Sequence, residues 1–169
     1  MTRLTLSRRQ VVLTGFAAAL PLRAAGRGIR EIQWEDLIPD GVPYSEIVGP
    51  GVMDEANDTW LPEFDENATR MNTDLNGALV KLPGYIIPIT STFQGVTEFI
   101  LVPYVGACIH TPPPPPNQLV FVTTTTPWPS DDMWTAIWVS GTLRTQMQST
   151  AVAEIGYALS ASKIEEYEW

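Results

Sequence analysis

Five consecutive prolines, Pro112, Pro113, Pro114, Pro115 and Pro116, set the strongest local limit on what this chain can fold into. None has a backbone N–H and each holds φ near −65°, so the run enters neither a helix interior nor a central strand. It predicts a polyproline II rod rising about 3.1 Å per residue, roughly 15 Å in all. Thr111, before it, is pushed toward extended geometry as well. The rod must therefore connect elements. It lies in residues 103–118 (PYVGACIHTPPPPPNQ), which also hold the only cysteine, Cys108, and the only histidine, His110.

Residues at i and i+2 of extended chain share a face, with Cα atoms about 6.5 Å apart. Thiol and imidazole at that spacing can bridge one metal ion, or the imidazole can lower the thiol pKa. Cys108 and His110 are the candidate metal ligands, suited to zinc or copper. Zinc takes four ligands, so the rest would come from Glu98, Asp131 or Asp132, from water, or from a second chain. Met133 or Met147 would favour Cu(I). Against this stands a structural reading, in which Cys108 is a small buried hydrophobe and His110 a hydrogen-bonded side chain. A thiol enzyme is the weakest reading. It requires a third group to orient the imidazole, an extended i, i+2 pair offers no oxyanion hole, and there is no second cysteine to resolve an oxidised thiol. No catalytic residue is assigned, and no cofactor beyond zinc or copper.

The N-terminus reads MTRLTLSRRQVVLTGFAAALPLRAAG: a basic start, Arg8 and Arg9, then an apolar run over 11–22. Twelve residues are too few for a bilayer, which needs about 20. Residues 1–25 read as an export signal of the twin-arginine type, with an ordinary secretory signal as the alternative, and place the chain in the periplasm. Arg23 at the −3 position fits a cleavage site poorly, so a retained anchor is one route to the membrane. The chain carries a net charge of −9. Loss of Arg3, Arg8, Arg9 and Arg23 would take it to −13, because all 19 acids lie beyond position 30. Such a charge opposes nucleic acid and anionic lipid head groups. With a single cysteine, no internal disulfide can form.

Residues 26–74 read as an acidic irregular arm. Trp34 and Leu37 sit at helical spacing before Pro39, Gly41 and Pro43, which predicts one short helical turn with Trp34 plugging the core. From 49 to 77 no regular element is expected, and DENATRMNTD lacks the spacing of a calcium loop. Residues 75–169 read as a β-barrel-like domain. ALVKLPGYIIPI (78–89) predicts two short strands or one bent strand, broken at Pro83-Gly84 and Pro88. Further strands are expected at 97–104, 119–126 and 134–144, with Gly141 suited to a bulge. Residues 145–152 are the stretch of this domain most open to helix. Residues 153–168 mix strand alternation (Ile155, Tyr157, Leu159) with a helical turn at 164–167. The expected class is mainly β: a small OB-like closed or partly closed barrel with an irregular N-terminal arm, or alternatively a β-sandwich.

The runs LNGALVKLPGYIIPI, EFILVPYVGACIHTPPPPPNQLVFV and WVSGTL resemble domain-of-unknown-function family 3299, an uncharacterised bacterial exported family, from about Trp34 to the C-terminus. Its most specific part is Cys-x-His-x-Pro-Pro-Pro-Pro-Pro-Asn-Gln, Cys108 to Gln118. The resemblance implies an exported accessory protein associated with ABC-type transporter subunits and linked to metal handling. The leading expectation is a binding protein whose partner surface is Pro112 to Pro116 with Asn117 and Gln118, the two amides satisfying backbone groups that the donor-free prolines cannot. The alternative is a zinc- or copper-binding accessory protein in envelope metal homeostasis.

Overall fold

The computed structural model describes residues 28–56, 59–107, 113–150 and 153–168. The proposed export signal at 1–25 lies outside them. Five strands form the body: β4 (Leu79–Thr92), β5 (Gly95–Val102), β6 (Val120–Trp128), β7 (Ile137–Ser149) and β8 (Glu154–Glu166). Their order is β4-β5-β6-β8-β7, and β7 pairs back onto β4, so the sheet closes into a barrel. All contacts around the ring are antiparallel except β6–β8, which is parallel. A short strand outside the ring, β1 (Arg30–Glu31), lies parallel to β4 at Val80 and Lys81. The mainly β, OB-like closed barrel is therefore what the chain forms, and the sandwich is not.

The two expected breaks in the first barrel strand are accommodated within one fourteen-residue strand. Leu79 to Gly84 pair with β7, and Tyr85 to Thr92 pair with β5. Pro83 sits just before β4 changes partner, where its missing N–H breaks no β5 bond, and Pro88 abuts a register shift. Val80, Leu82 and Ile86 point inward with Phe99, Leu101, Val120, Val122, Val139, Leu143, Tyr157 and Leu159. Gly141 lies at a register shift against β8, as its bulge reading requires. A Cβ there would fall 2.2 Å from the Ser160 carbonyl oxygen, so only glycine lets the two backbones approach this closely.

Two local expectations fail within the barrel. Residues 145–149 are strand, the far end of β7, with Thr145 paired to Tyr157 and Ser149 to Glu154. Gln and Met have good helix propensity, but a ladder to β8 outweighs a preference of a few tenths of a kcal/mol per residue. The ladder likewise carries β8 straight through Ile164 to Glu166, opposite Val139 to Ile137, in place of a helical turn.

The arm is more regular than its composition predicts. It holds a small antiparallel pair, β2 (Val52–Asp54) and β3 (Thr59–Leu61), and three 3-10 helices: η1 (Trp34–Leu37), η2 (Glu66–Thr69) and η3 (Thr73–Leu75). Asp65 caps η2 and accepts from Ser45 Oγ at 2.8 Å. The Ser45 bond leads the contacts that hold its carboxyl below the usual range. As expected, η1 is a single turn whose Trp34 and Leu37 enter the barrel core, joined by Leu75. Trp34 Nε1 donates to the Pro83 carbonyl at 2.8 Å. Gly84 leaves room for the indole: a Cβ there would meet the Trp34 ring at 3.0 Å and the Val102 carbonyl at 2.7 Å.

Candidate functional site

Pro115 is extended, with φ −63° and ψ 157°. Pro116 instead starts a 3-10 helix, η4 (Pro116–Gln118). The expected rod is thus cut short. A proline at the first helical position loses no bond, and the Pro115 and Pro116 carbonyls accept from the N–H groups of Gln118 and Leu119 at 2.8 and 3.2 Å. Pro114 and Pro115 are buried, whereas Pro113 and Pro116 keep one side in solvent.

Asn117 and Gln118 turn inward and fasten the arm to the barrel. Asn117 Nδ2 donates to the carbonyls of Asn67 and Arg70 at 2.9 and 3.0 Å. Gln118 Nε2 donates to the carbonyls of Trp34 and Asn117, both at 3.0 Å. The carbonyls of Trp34, Asn67 and Arg70 sit at the arm's turns, where no strand partner is available, so the two amides add hydrogen bonds there that tie the arm to the barrel. Asn117 Oδ1 itself has no hydrogen-bond partner among the described residues.

A third tie was not legible in the sequence. Tyr157, fully buried in β8, donates to the Leu37 carbonyl at 2.5 Å and accepts from the Asn72 N–H at 2.6 Å. Burial raises its hydroxyl pKa to about 12, against a smaller lowering by the Asn72 bond. The alternation of Ile155, Tyr157 and Leu159 suggested a strand, but nothing marked Asn72 as a partner of Tyr157.

Between the prolines and the arm runs an apolar groove of about 190 Å³. Pro113, Pro114, Pro116 and Leu119 form one wall, Leu61, Pro62 and Phe64 the other, with Ala153 and Glu154 at one end. Val52 pairs with Leu61, and Ile47 forms a bridge with Phe64. Ile47, Val48, Val52, Met53 and Leu61 are all exposed, so apolar surface continues from the groove across the arm.

Cys108, His110 and Pro112 lie outside the described residues. Ala107, just before them, is buried in a second cluster with Ile100, Val102, Leu119 and Ile155, against which Tyr85, Ile87 and Phe121 pack. The connection is thus anchored at Ala107 and again at Pro114. Among the described residues no three His, Cys, Asp or Glu gather as a metal site. Glu98 accepts from Thr90 Oγ1 at 2.6 Å. Asp132 accepts from Thr135 Oγ1 and the Trp134 N–H, which hold its carboxyl below the usual range. Met133 shares a small cavity with Ala107, Tyr85 and Trp134. Met147 lies on β7. Trp128 packs on the main core, and Trp138 is stacked on Tyr167 at 5.0 Å with Lys81 Nζ 4.4 Å from its ring.

Residues 34–166 match the sequence family described as "Protein of unknown function (DUF3299)". Among solved structures the chain is similar to a DUF3299 family protein from Pseudomonas aeruginosa PAO1, with 36% identity and a TM-score of 0.67. That similarity covers 84% of this chain and 98% of the other. No curated protein matches.

Proposed function

We propose that this chain, which belongs to DUF3299, a family of proteins of unknown function, is an exported periplasmic binding protein that docks on another envelope protein, a subunit of an ABC-type transporter system being the partner class. The observation that supports this is the groove beside Pro113, Pro114 and Pro116 and the apolar surface that continues from it over Val52, Met53 and Leu61. Prolines in one wall lose little entropy on binding, and an open apolar surface of this kind favours association. Asn117 and Gln118 serve the site from behind, holding the two walls together. The reading needs no catalytic step.

A photo-crosslinking residue placed at Val52 in the exporting cell tests it. A membrane transport subunit should be captured, and Leu61→Asp should abolish capture while leaving the near-UV spectrum of the folded protein unchanged. If Leu61→Asp captures the same partner as well as the parent does, the groove is not the docking surface. Replacing Arg8 and Arg9 by lysine should retain the protein in the cytoplasm if export follows the twin-arginine route.

One contact favours a second reading, zinc or copper binding through Cys108 and His110: the cavity shared by Ala107 and Met133 brings the loop of Asp131, Asp132 and Met133 beside the start of that segment. Elemental analysis of purified protein beside Cys108→Ser tests it. About one metal per chain, lost in the variant, is the expected result, and equal metal in both samples would exclude the pair as ligands.

A further inference from the structure

We infer that a second cleft, separate from the groove beside the prolines, is a binding site for an extended proline-rich peptide flanked by lysine or arginine. The cleft has a volume of about 200 Å³ and lies where η1, the middle of β4 and the C-terminal end of the chain meet. Gln33, Trp34, Pro83, Tyr85, Pro103 and Tyr167 line it. The Trp34 indole is fixed by its bond to the Pro83 carbonyl, and the Tyr167 ring is fixed against Trp138. The rings are therefore set in place before any ligand arrives, which lowers the entropy cost of binding.

The lining selects the ligand. A polyproline II segment presents pyrrolidine faces and carbonyl oxygens, and its prolines have no N–H to offer. A receptor for it needs flat aromatic and proline surfaces with a few hydrogen-bond donors between them. Tyr85 and Tyr167 supply the surfaces together with Pro83 and Pro103, over the buried Trp34 indole that forms the floor, and the Tyr85 hydroxyl and Gln33 amide supply donors. Charge sets the flanks. Residues 28–169 carry nineteen acids against five bases, and Glu35 and Glu168 adjoin lining residues. Basic ends on the peptide are attracted by that field and acidic ends repelled.

The test is calorimetric titration of the full chain with a synthetic polyproline peptide flanked by lysines, beside a glutamate-flanked version, a glycine–serine peptide and a chitooligosaccharide. Saturable binding of the lysine-flanked peptide is expected, weakened about tenfold by Tyr85→Ala and by Tyr167→Ala. Tyr167→Phe should restore binding, because its ring is retained. Pro113→Ala, in the other groove, should leave it unchanged, so this site and the partner surface proposed above fail separately. Absence of saturable binding to the lysine-flanked peptide overturns the inference. Equal affinity of the parent, Tyr85→Ala and Tyr167→Ala does the same, as does loss in these variants of oligosaccharide binding alone.

Discussion

Asn117 offers the sharpest test of how the proline run is held, because its two amide atoms have opposite circumstances. Nδ2 bonds the carbonyls of Asn67 and Arg70, while Oδ1 is buried without a partner among the described residues. The Asn67 carbonyl also accepts from the Arg70 N–H, so it keeps one bond if the amide is lost. Asn117→Leu strands the Arg70 carbonyl at about 1–3 kcal/mol and removes a second bond from Asn67 worth about 0.5–1.5. It also relieves the buried oxygen, recovering about 1–3, which leaves a net loss of about 1 kcal/mol. Asn117→Asp has nearly the same shape and the opposite chemistry. Its carboxylate faces two carbonyl oxygens in a site with no solvent exposure, so burial and repulsion raise its folded pKa by roughly 3 units or more. At about 1.36 kcal/mol per unit, the ionised variant loses roughly 4 kcal/mol. The sign follows from linkage: the raised pKa costs nothing below the unfolded value near 3.9, and the loss grows as pH rises toward the folded pKa. Urea unfolding followed by tryptophan fluorescence, at pH 4 and pH 8, reads this directly. Asn117→Asp should match Asn117→Leu to within about 1 kcal/mol at pH 4, since a protonated carboxyl can still donate once, and fall several kcal/mol below it at pH 8. Equal stability of the two variants at pH 8 would refute the inward, amide-to-carbonyl placement of this side chain.

Two other perturbations probe the same framework. Gly141→Ala should lower stability by about 1–3 kcal/mol in thermal unfolding, because the added methyl meets the backbone of Ser160, which cannot swing aside as the neighbouring Leu159 side chain can. An unchanged midpoint would mean that β7 and β8 do not approach as described. Tyr157→Phe should lose about 1–2 kcal/mol at neutral pH. With a folded pKa near 12 against about 10 unfolded, the hydroxyl stabilises fully below pH 10 and loses that contribution between pH 10 and 12. Alkaline unfolding curves of parent and Tyr157→Phe should therefore converge across that window, and a constant gap would contradict the buried hydroxyl.

The barrel was legible because its strands carry their own signals. The apolar run of β5, the alternation of β8 and the glycine of β7 each state a local geometry that closure of the sheet then satisfies. Trp34 was legible for a similar reason, a large apolar side chain at helical spacing from Leu37 just before a proline stop. Partner-dependent features were not. Thr145 to Ser149 look helical in isolation and become strand only through β8, some ten residues further on. The hairpin of β2 and β3 is hidden in an acidic stretch whose composition reads as loop. The ties between arm and barrel join residues far apart in sequence, Gln118 to Trp34 and Tyr157 to Leu37. A single sequence has no periodicity that reveals such pairs. The groove inherits this blindness, since one wall is the proline run and the other is the arm.

The double duty of the proline run decides how its function has to be tested. Pro114, Pro115, Asn117 and Gln118 are buried, so substitutions there disturb the clip that sets the groove's width before they touch any partner. A loss of activity in such variants is equally well explained by a loosened arm. Pro113 and Pro116 face the groove and stay partly in solvent, and Leu61 and Met53 lie on the opposite wall or next to it. Substitutions on the arm side leave both amides and all their carbonyl partners in place. A docking defect that appears with Leu61→Asp and also with Pro113→Ala, at unchanged unfolding midpoints, assigns the effect to the groove surface. A defect confined to Asn117 and Gln118 variants assigns the whole motif to holding the fold together.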